Sequence, residues 1–332
     1  MIVEQFVMAY GAEQDRLRAL LPEGFASLRP VLTLADTARR VLGVRAMSGL
    51  ARGLHRAGVP LWQPAMPRAY RIPAALRKPA AAETPKREPD RVVYFPSCIN
   101  QTMGLARETP VGEPLAEKMV ALLRKAGWEV IFPEGMEYLC CGTIWESKGM
   151  ADIADRKTAE LEEALWKASC EGRYPVLCDQ SPCLHRMREK IRRMKLYEPA
   201  EFIWTFLRDR LEFHPQEGPV ALHITCSMRR MGLSDTIVAL ARLCAREVVI
   251  PEEVGCCGFA GDRGFTHPEV NAYALRKLRP AIERSGAQIG YSNSRTCEIG
   301  LTTHSGIPYV SIVYLVDACT TPRTGADEAP KE

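Results

Sequence analysis

Two short stretches set neighbouring cysteines in front of a glycine: "EYLCCG", with Cys140 and Cys141, and "VGCCG", with Cys256 and Cys257. A disulfide between sequence neighbours closes a small strained ring, and one tetrahedral metal ion rarely takes both sulfurs. A cluster of several irons removes the difficulty, because adjacent thiolates can reach different metal atoms or one can bridge two. Each pair is also one corner of a longer pattern. Cys98 opens Cys-x4-Met-Gly in "YFPSCINQTMG", and Cys226 opens the same motif in "LHITCSMRRMG". Further on, "LCDQSPC" ends at Cys183 and "YSNSRTC" at Cys297. Cys98, Cys140, Cys141 and Cys183 therefore correspond to Cys226, Cys256, Cys257 and Cys297. The intervening lengths are 41 and 41 residues in the first half and 29 and 39 in the second.

An internal repeat of this kind implies two equivalent structural units. Soft thiolates in fours select an iron–sulfur cluster or zinc, and the adjacent pairs favour the cluster. The ordinary ferredoxin run, Cys-x2-Cys-x2-Cys-x3-Cys-Pro, is absent. Glycine after each pair allows a left-handed turn or a close backbone approach to inorganic sulfide. Four of the 12 cysteines stand outside the repeat. Cys170, Cys244 and Cys319 read as packing residues. Cys178, five residues before Cys183, is a candidate additional ligand of the first set. His185 and His223 flank the cysteines but read as satisfied core or surface histidines. Arg229, Arg230, Arg263 and Arg295 accompany the second set, where positive charge would stabilise thiolate or an anionic cluster. A thiol–disulfide enzyme using Cys140 and Cys141, or Cys256 and Cys257, is a weaker alternative.

The elements that must position these residues alternate between strand and helix after residue 90. "RVVYFPSC" reads as a strand ending at Cys98, "EPLAEKMVALLRKAG" as an amphipathic helix, and "EVIFPEG" as a second strand. "DIADRKTAELEEALWKA" and "LHRMREKIRRMK" read as helices around a strand in "YPVLCDQSPC". Such alternation predicts an α/β fold of two pseudo-symmetric βα repeats with parallel strands and cysteine-bearing loops. Cys98, Cys183, Cys226 and Cys297 all fall at predicted strand ends, where α/β sheets gather their ligands. The boundaries expected are a helical N-terminal segment over 1–58, a Pro-rich linker over 59–90, a first cysteine-rich domain over 91–215, a second over 216–320, and a disordered tail over 321–332.

The 332 residues are 46% apolar and 25% charged, with a net charge of +4, as befits a globular chain of two ordinary domains. No basic track interleaved with aromatics points to nucleic acid. No apolar run approaches the roughly 18 residues of a membrane-spanning helix, and the N-terminus lacks a secretory pattern. A cytoplasmic chain is expected, and in a reducing compartment its cysteines bind metal or do redox work. From Thr37 to Ala82 there is no acidic residue, while Arg39, Arg40, Arg45, Arg52 and Arg56 lie within that span. This is a solvated basic face or a docking surface for an acidic partner or the inner face of a membrane.

The motifs "CINQTMG…CCGTIWESKG…SPC" and "CSMRRMG…CCGFAGDRGF…SRTCEIG" resemble the paired cysteine-rich (CCG) domains of heterodisulfide reductase, the iron–sulfur subunit of glycolate oxidase and lactate-utilisation proteins. The likeness extends over roughly residues 33 to 320 and is greatest to the C-terminal region of FAD-linked D-lactate dehydrogenases, through "LADTARRVLG", "VPLWQPAMPR" and "YVSIVYLVDACT". The resemblance implies an electron-transfer module that receives electrons from a flavoprotein partner oxidising a 2-hydroxy acid and passes them toward a quinone or cytochrome. It implies a 4Fe–4S or noncubane cluster on the eight repeated cysteines, with FAD only on a partner chain and zinc as the alternative metal. The family motif often ends in Cys-x2-Cys, and this chain has Gln180 and Ser294 at the earlier of those positions. A five-cysteine set therefore lacks one ligand in each half, which Cys178 could supply in the first half only.

Overall fold

The computed structural model describes residues 28–78 and 89–323. The first 27 residues of the expected helical N-terminal segment, residues 79–88 of the expected linker and most of the expected tail lie outside them. Ten strands are described: β1 Asp90–Phe95, β2 Trp128–Ile131, β3 Val176–Cys178, β4 Leu196–Tyr197, β5 Leu211–Phe213, β6 Val220–Leu222, β7 Val248–Val249, β8 Gly290–Ser292, β9 Tyr309–Ser311 and β10 Thr320–Pro322. They form two parallel four-stranded sheets, ordered β2-β1-β3-β4 and β7-β6-β8-β9, and an antiparallel pair, β10-β5. The two orders are the same order repeated, so the sequence duplication is a duplication of topology.

β1 shows why the strands read as continuous apolar runs. A parallel strand covered on both faces needs apolar residues in succession, and Val92 to Phe95 are all buried. Alternation then divides them between two cores. Val92 and Tyr94 join a large core that also contains Val220, Leu222 and Leu240 of the second half. Val93 and Phe95 join a separate core under the helix Ala151–Ala168. In β6, Val220 and Leu222 likewise face the shared core, and Ala221 faces the second half's outer one.

Because the shared core is built from both halves, their helices interlock. The helix Leu115–Lys125 of the first half packs on Ile312–Ala318 of the second, and Ser234–Cys244 packs on Pro199–Phe202. These contacts are equivalent under exchange of the halves, as is the pairing of β5 with β10, so the halves meet as an isologous dimer does. Lys118 and Lys125 both reach Asp317 across this junction.

Two expectations are corrected. Cys98, Cys183, Cys226 and Cys297 do not end strands: each lies in the first turn of the helix that follows, namely Cys98–Thr102, Ser181–Lys190, Cys226–Arg230 and Arg295–Ser305. β3 stops at Cys178, and Pro182, suited to a first helical turn, starts the next element. Cys170 is exposed rather than packed, in a left-handed turn (φ 53°) beyond the long helix; Cys244 and Cys319 are buried. The described part of the Pro-rich segment lacks strands, ends in a short 3-10 helix, Ala74–Arg77, and is pinned to the body, with Leu61 N donating to Phe265 O at 2.6 Å and Tyr70 N to Thr102 O at 2.8 Å.

Candidate metal centres

In a sheet of order 2-1-3-4 the chain leaves the two central strands in opposite directions, and the crevice beyond their carboxyl ends is the usual ligand position. The helices that follow β1 and β3 carry Cys98 and Cys183, and those that follow β6 and β8 carry Cys226 and Cys297. The loops after β2 and β7 bring in the cysteine pairs. In the first half the thiols are in contact in the order Cys98, Cys140, Cys141, Cys183. In the second the order is Cys226, Cys256, Cys257, Cys297, with Cys257 Sγ 3.0 Å from Cys297 Sγ. Among the described residues no three His, Cys, Asp or Glu stand in ready metal-ligating geometry; each sulfur adjoins the next in the order given, and each row is that succession of pairs. Cys178 is apart from the row, its thiol facing Gln180 O at 3.9 Å.

Both turns after the paired cysteines use the left-handed conformation, Gly142 at φ 86° and Gly258 at φ 71°. That geometry points backbone donors at sulfur: Gly142 N donates to Cys140 Sγ, and Gly258 N to Cys256 Sγ, each at 3.4 Å. Phe259 N adds a donor to Cys257 Sγ at 3.5 Å. Hydrogen bonds to a thiolate favour it over the thiol. Neighbouring thiols that donate to Cys141 hold its pKa well below the ordinary thiol value, while its neighbours Cys140 and Cys183 are pushed up. In the second row Cys256 is the lowered member, through Cys226 and Cys257. A soft cation binding these sulfurs would displace their protons.

Residues without a motif of their own hold the turns. Thr158 Oγ1 donates to Cys141 O at 2.9 Å, and Asn271 Nδ2 donates to the equivalent Cys257 O at 2.6 Å. Arg186, only 2% exposed, adds a bond from Nε to Cys141 O at 3.0 Å while its guanidinium pairs with Glu146 and Asp155. Arg186 lies three residues after Cys183, one helical turn on, which is the only sequence signal that could have marked it.

Gln180 and Ser294 occupy equivalent N-cap positions and bond to each other across the junction, Gln180 Nε2 to Ser294 Oγ at 3.1 Å. Gln180 Oε1 also accepts from Arg295 N at 3.0 Å. The two turns approach as well, through an ion pair of Lys148 and Asp262 at 3.0 Å. His223 is buried, with Nδ1 3.0 Å from Ser292 Oγ, and desolvation lowers its pKa to about 4. His185 lies 3.7 Å from Glu189. His223 is thus not the satisfied core histidine expected: its Nε2 is buried without a hydrogen-bond partner among the described residues, and the ring is close enough to Cys256 for each to feel the other's charge.

At the same junction Glu198 is fully buried, accepts from Ala200 N at 2.6 Å and is paired with Asn293, next to Ser294. Desolvation raises its pKa from 4.5 to about 8. The folded protein then holds a proton that the unfolded chain releases, so this carboxyl stabilises most at low pH and its contribution is lost as pH rises from about 4.5 to about 8. Denaturant midpoints measured over that range should fall with pH, and Glu198→Gln should flatten the fall; an unchanged slope would place its origin elsewhere.

Two pseudo-symmetric parallel sheets, each bearing a row of four cysteines at its carboxyl edge, define a duplicated cysteine-rich α/β protein. The model of the CCG cysteine-rich domain matches residues 92–188 and 220–302, more than half of the chain, and the chain belongs to that family. It is 22% identical to lactate utilization protein A of Oceanobacillus iheyensis over 251 residues, 71% of this chain and 98% of that protein. It is also 22% identical to lactate utilization protein A of an Exiguobacterium species over 244 residues, 68% of this chain and 95% of that protein. Among solved structures, Picrophilus torridus aspartate racemase is similar over 69% of this chain and 91% of its own, at 9% identity and a TM-score of 0.32. Pseudomonas fluorescens allantoin racemase is similar over 73% and 97%, at 12% identity and a TM-score of 0.26.

Proposed function

We propose that this chain is an iron–sulfur electron-transfer module of a flavin-linked system that oxidises D-lactate or a related 2-hydroxy acid. The observation that carries the reading is the duplicated row of four contacting cysteines. Cys98, Cys140, Cys141 and Cys183 hold one cluster, and Cys226, Cys256, Cys257 and Cys297 hold the other. The donor set fits such a group: each half offers four sulfurs, adjacent sulfurs suit a multi-iron ligand, and backbone N–H groups already address them. When bound, a cluster supplies one-electron storage, and two clusters can divide the electron pair that a flavin takes from its substrate. Gln180 and Ser294 are committed to each other, which favours four cysteines per cluster. Cys178, near enough to feel the charge of Cys141 and Cys98, is the candidate fifth ligand of a noncubane cluster in the first half. The names of the relatives support the substrate class; a flavoprotein supplies the electrons, and a quinone or cytochrome takes them.

Anaerobic purification followed by iron and acid-labile sulfide analysis tests this directly. Equal iron and sulfide in a brown protein is the expected result. A colourless protein with stoichiometric zinc would replace the proposal with a structural-zinc scaffold.

Peripheral membrane attachment is part of the same proposal. No described helix is long and apolar enough to cross a membrane. The helical segment Leu28–Arg56 breaks at Gly43 (φ 75°); it exposes Leu34 (70%), Arg40 and Val41 (80%) before the break and Arg45, Arg52 and Arg56 after it. Apolar and cationic groups exposed along such a segment suit an anionic lipid surface. The protein should co-sediment with vesicles containing phosphatidylglycerol, and changing these four arginines to glutamate should abolish that; co-sedimentation unaffected by the charge reversal would refute it.

A further inference from the structure

Outside the sulfur rows, one cavity joins the two halves. It encloses about 190 Å³ between the loop that follows the helix Cys98–Thr102 and the helix Arg295–Ser305, with the connector of residues 64–67 as a third wall. Pro64, Leu105, Ile299 and Val310 supply apolar walls, and Arg295 and Glu298 the polar lining. Arg295 is only 5% exposed. Its Nε donates to Asn100 Oδ1 at 3.1 Å and its Nη1 to Glu298 Oε2 at 3.0 Å, while its Nη2 is buried without a hydrogen-bond partner among the described residues. Tyr314 lies next to this guanidinium but outside hydrogen-bond geometry with Nη2, and its hydroxyl donates to Glu113 O at 2.8 Å.

A buried charged donor left without a partner costs stability, so such a group beside a cavity is best explained by a ligand that bonds to it. The charge balance says which kind. Glu298 already neutralises Arg295, and Glu108 at the rim is matched by Arg39 at 2.7 Å. An anion entering here would be left uncompensated in a low-dielectric site. A neutral molecule with a carbonyl acceptor on a flat apolar body satisfies Arg295 Nη2 and fills the apolar walls at no charge cost.

The cavity is also tied to both sulfur rows. Arg295 is two residues from Cys297 on the same helix, and its partner Asn100 is two residues from Cys98. Its rim at Glu108 is held by Arg39 of the helix that exposes Leu34 and Val41. We propose that this cavity is the acceptor site, binding the ring of a quinone with one carbonyl oxygen on Arg295 Nη2. The assignment rests on the electron-transfer reading above and deepens it.

Calorimetric titration of the anaerobically purified full chain with tetramethyl-1,4-benzoquinone tests it, since the fully substituted ring offers no carbon for thiol addition. One saturable site per chain is expected. Arg295→Gln should weaken binding about tenfold, the loss expected for one charge-assisted hydrogen bond. Ala106→Trp fills the cavity from its partly exposed rim and leaves the bonds of Arg295 in place; it should abolish binding while iron and sulfide stay at the wild-type level. No saturable binding by an iron-loaded protein, or binding untouched by Ala106→Trp, overturns the quinone site and leaves the iron–sulfur module standing. Absence of iron with binding intact overturns the module and leaves the site. Saturable binding of lactate or pyruvate that Ala106→Trp abolishes would overturn the choice of a neutral ligand.

Discussion

Cys141→Ser is expected to remove half of the bound iron and sulfide, Cys257→Ser the other half, and the double variant all of it. Serine keeps the shape of the side chain but replaces a soft thiolate by a hard, weakly acidic hydroxyl, which does not hold iron in competition with sulfur. These two positions are chosen because each sits in the middle of its row, touching a sulfur on either side. Loss of either divides the row into one lone thiol and a pair. The halving follows from the duplicated topology, since each row belongs to its own sheet. Iron and sulfide assays, with circular dichroism to verify folding, give the readout. A double variant with its full complement of iron would show that these cysteines are not ligands.

Gly142→Ala is expected to cost about 3 kcal/mol or more, which is large against the whole stability of a domain. An added Cβ would stand 2.4 Å from the carbonyl oxygen of Ala154 and 2.9 Å from Arg186 Nε, at φ +86°. The oxygen is backbone inside a helix and cannot step aside. Gly258→Ala should behave alike, with its Cβ 2.7 Å from Ala274 Cβ and 2.9 Å from Val270 O. Gly261→Ala is the control: φ is +75°, but nothing lies within 4 Å, so only the conformational penalty of about 1 kcal/mol remains. Denaturant unfolding separates the three. A loss at Gly142 no larger than at Gly261 would mean that the turn yields, and the close approach would not explain this glycine.

The same glycines show how far reading the chain can go. A residue type next to a chemical group is a local fact, so "CCG" announced both the thiols and the left-handed turn. Strands were legible for the same reason, because β-branched and aromatic residues in succession report burial on both faces. The cysteines after them were placed one element too early. Whether residue 183 ends a strand or opens a helix depends on where hydrogen bonding to a neighbouring strand stops, and that neighbour is far away in sequence.

Arg186, Thr158 and Asn271 were invisible until the chain was folded. Each acts on a cysteine carbonyl from another helix, and an arginine in a helix ordinarily reads as a solvated charge. Gln180 and Ser294 were noticed, but only as departures from a family pattern. Their bond to each other, over 114 residues, depends on how the halves dock.

The repeat, the eight cysteines and the class of ligand they suit were determined by the sequence itself, since duplication and residue chemistry are properties of the linear chain. The order of the sulfurs in each row, the interlocked core and the unpartnered Nη2 of Arg295 beside a cavity were decided only by tertiary structure. Burial and partnership arise when two faces meet, and no single segment carries a record of the face it will meet.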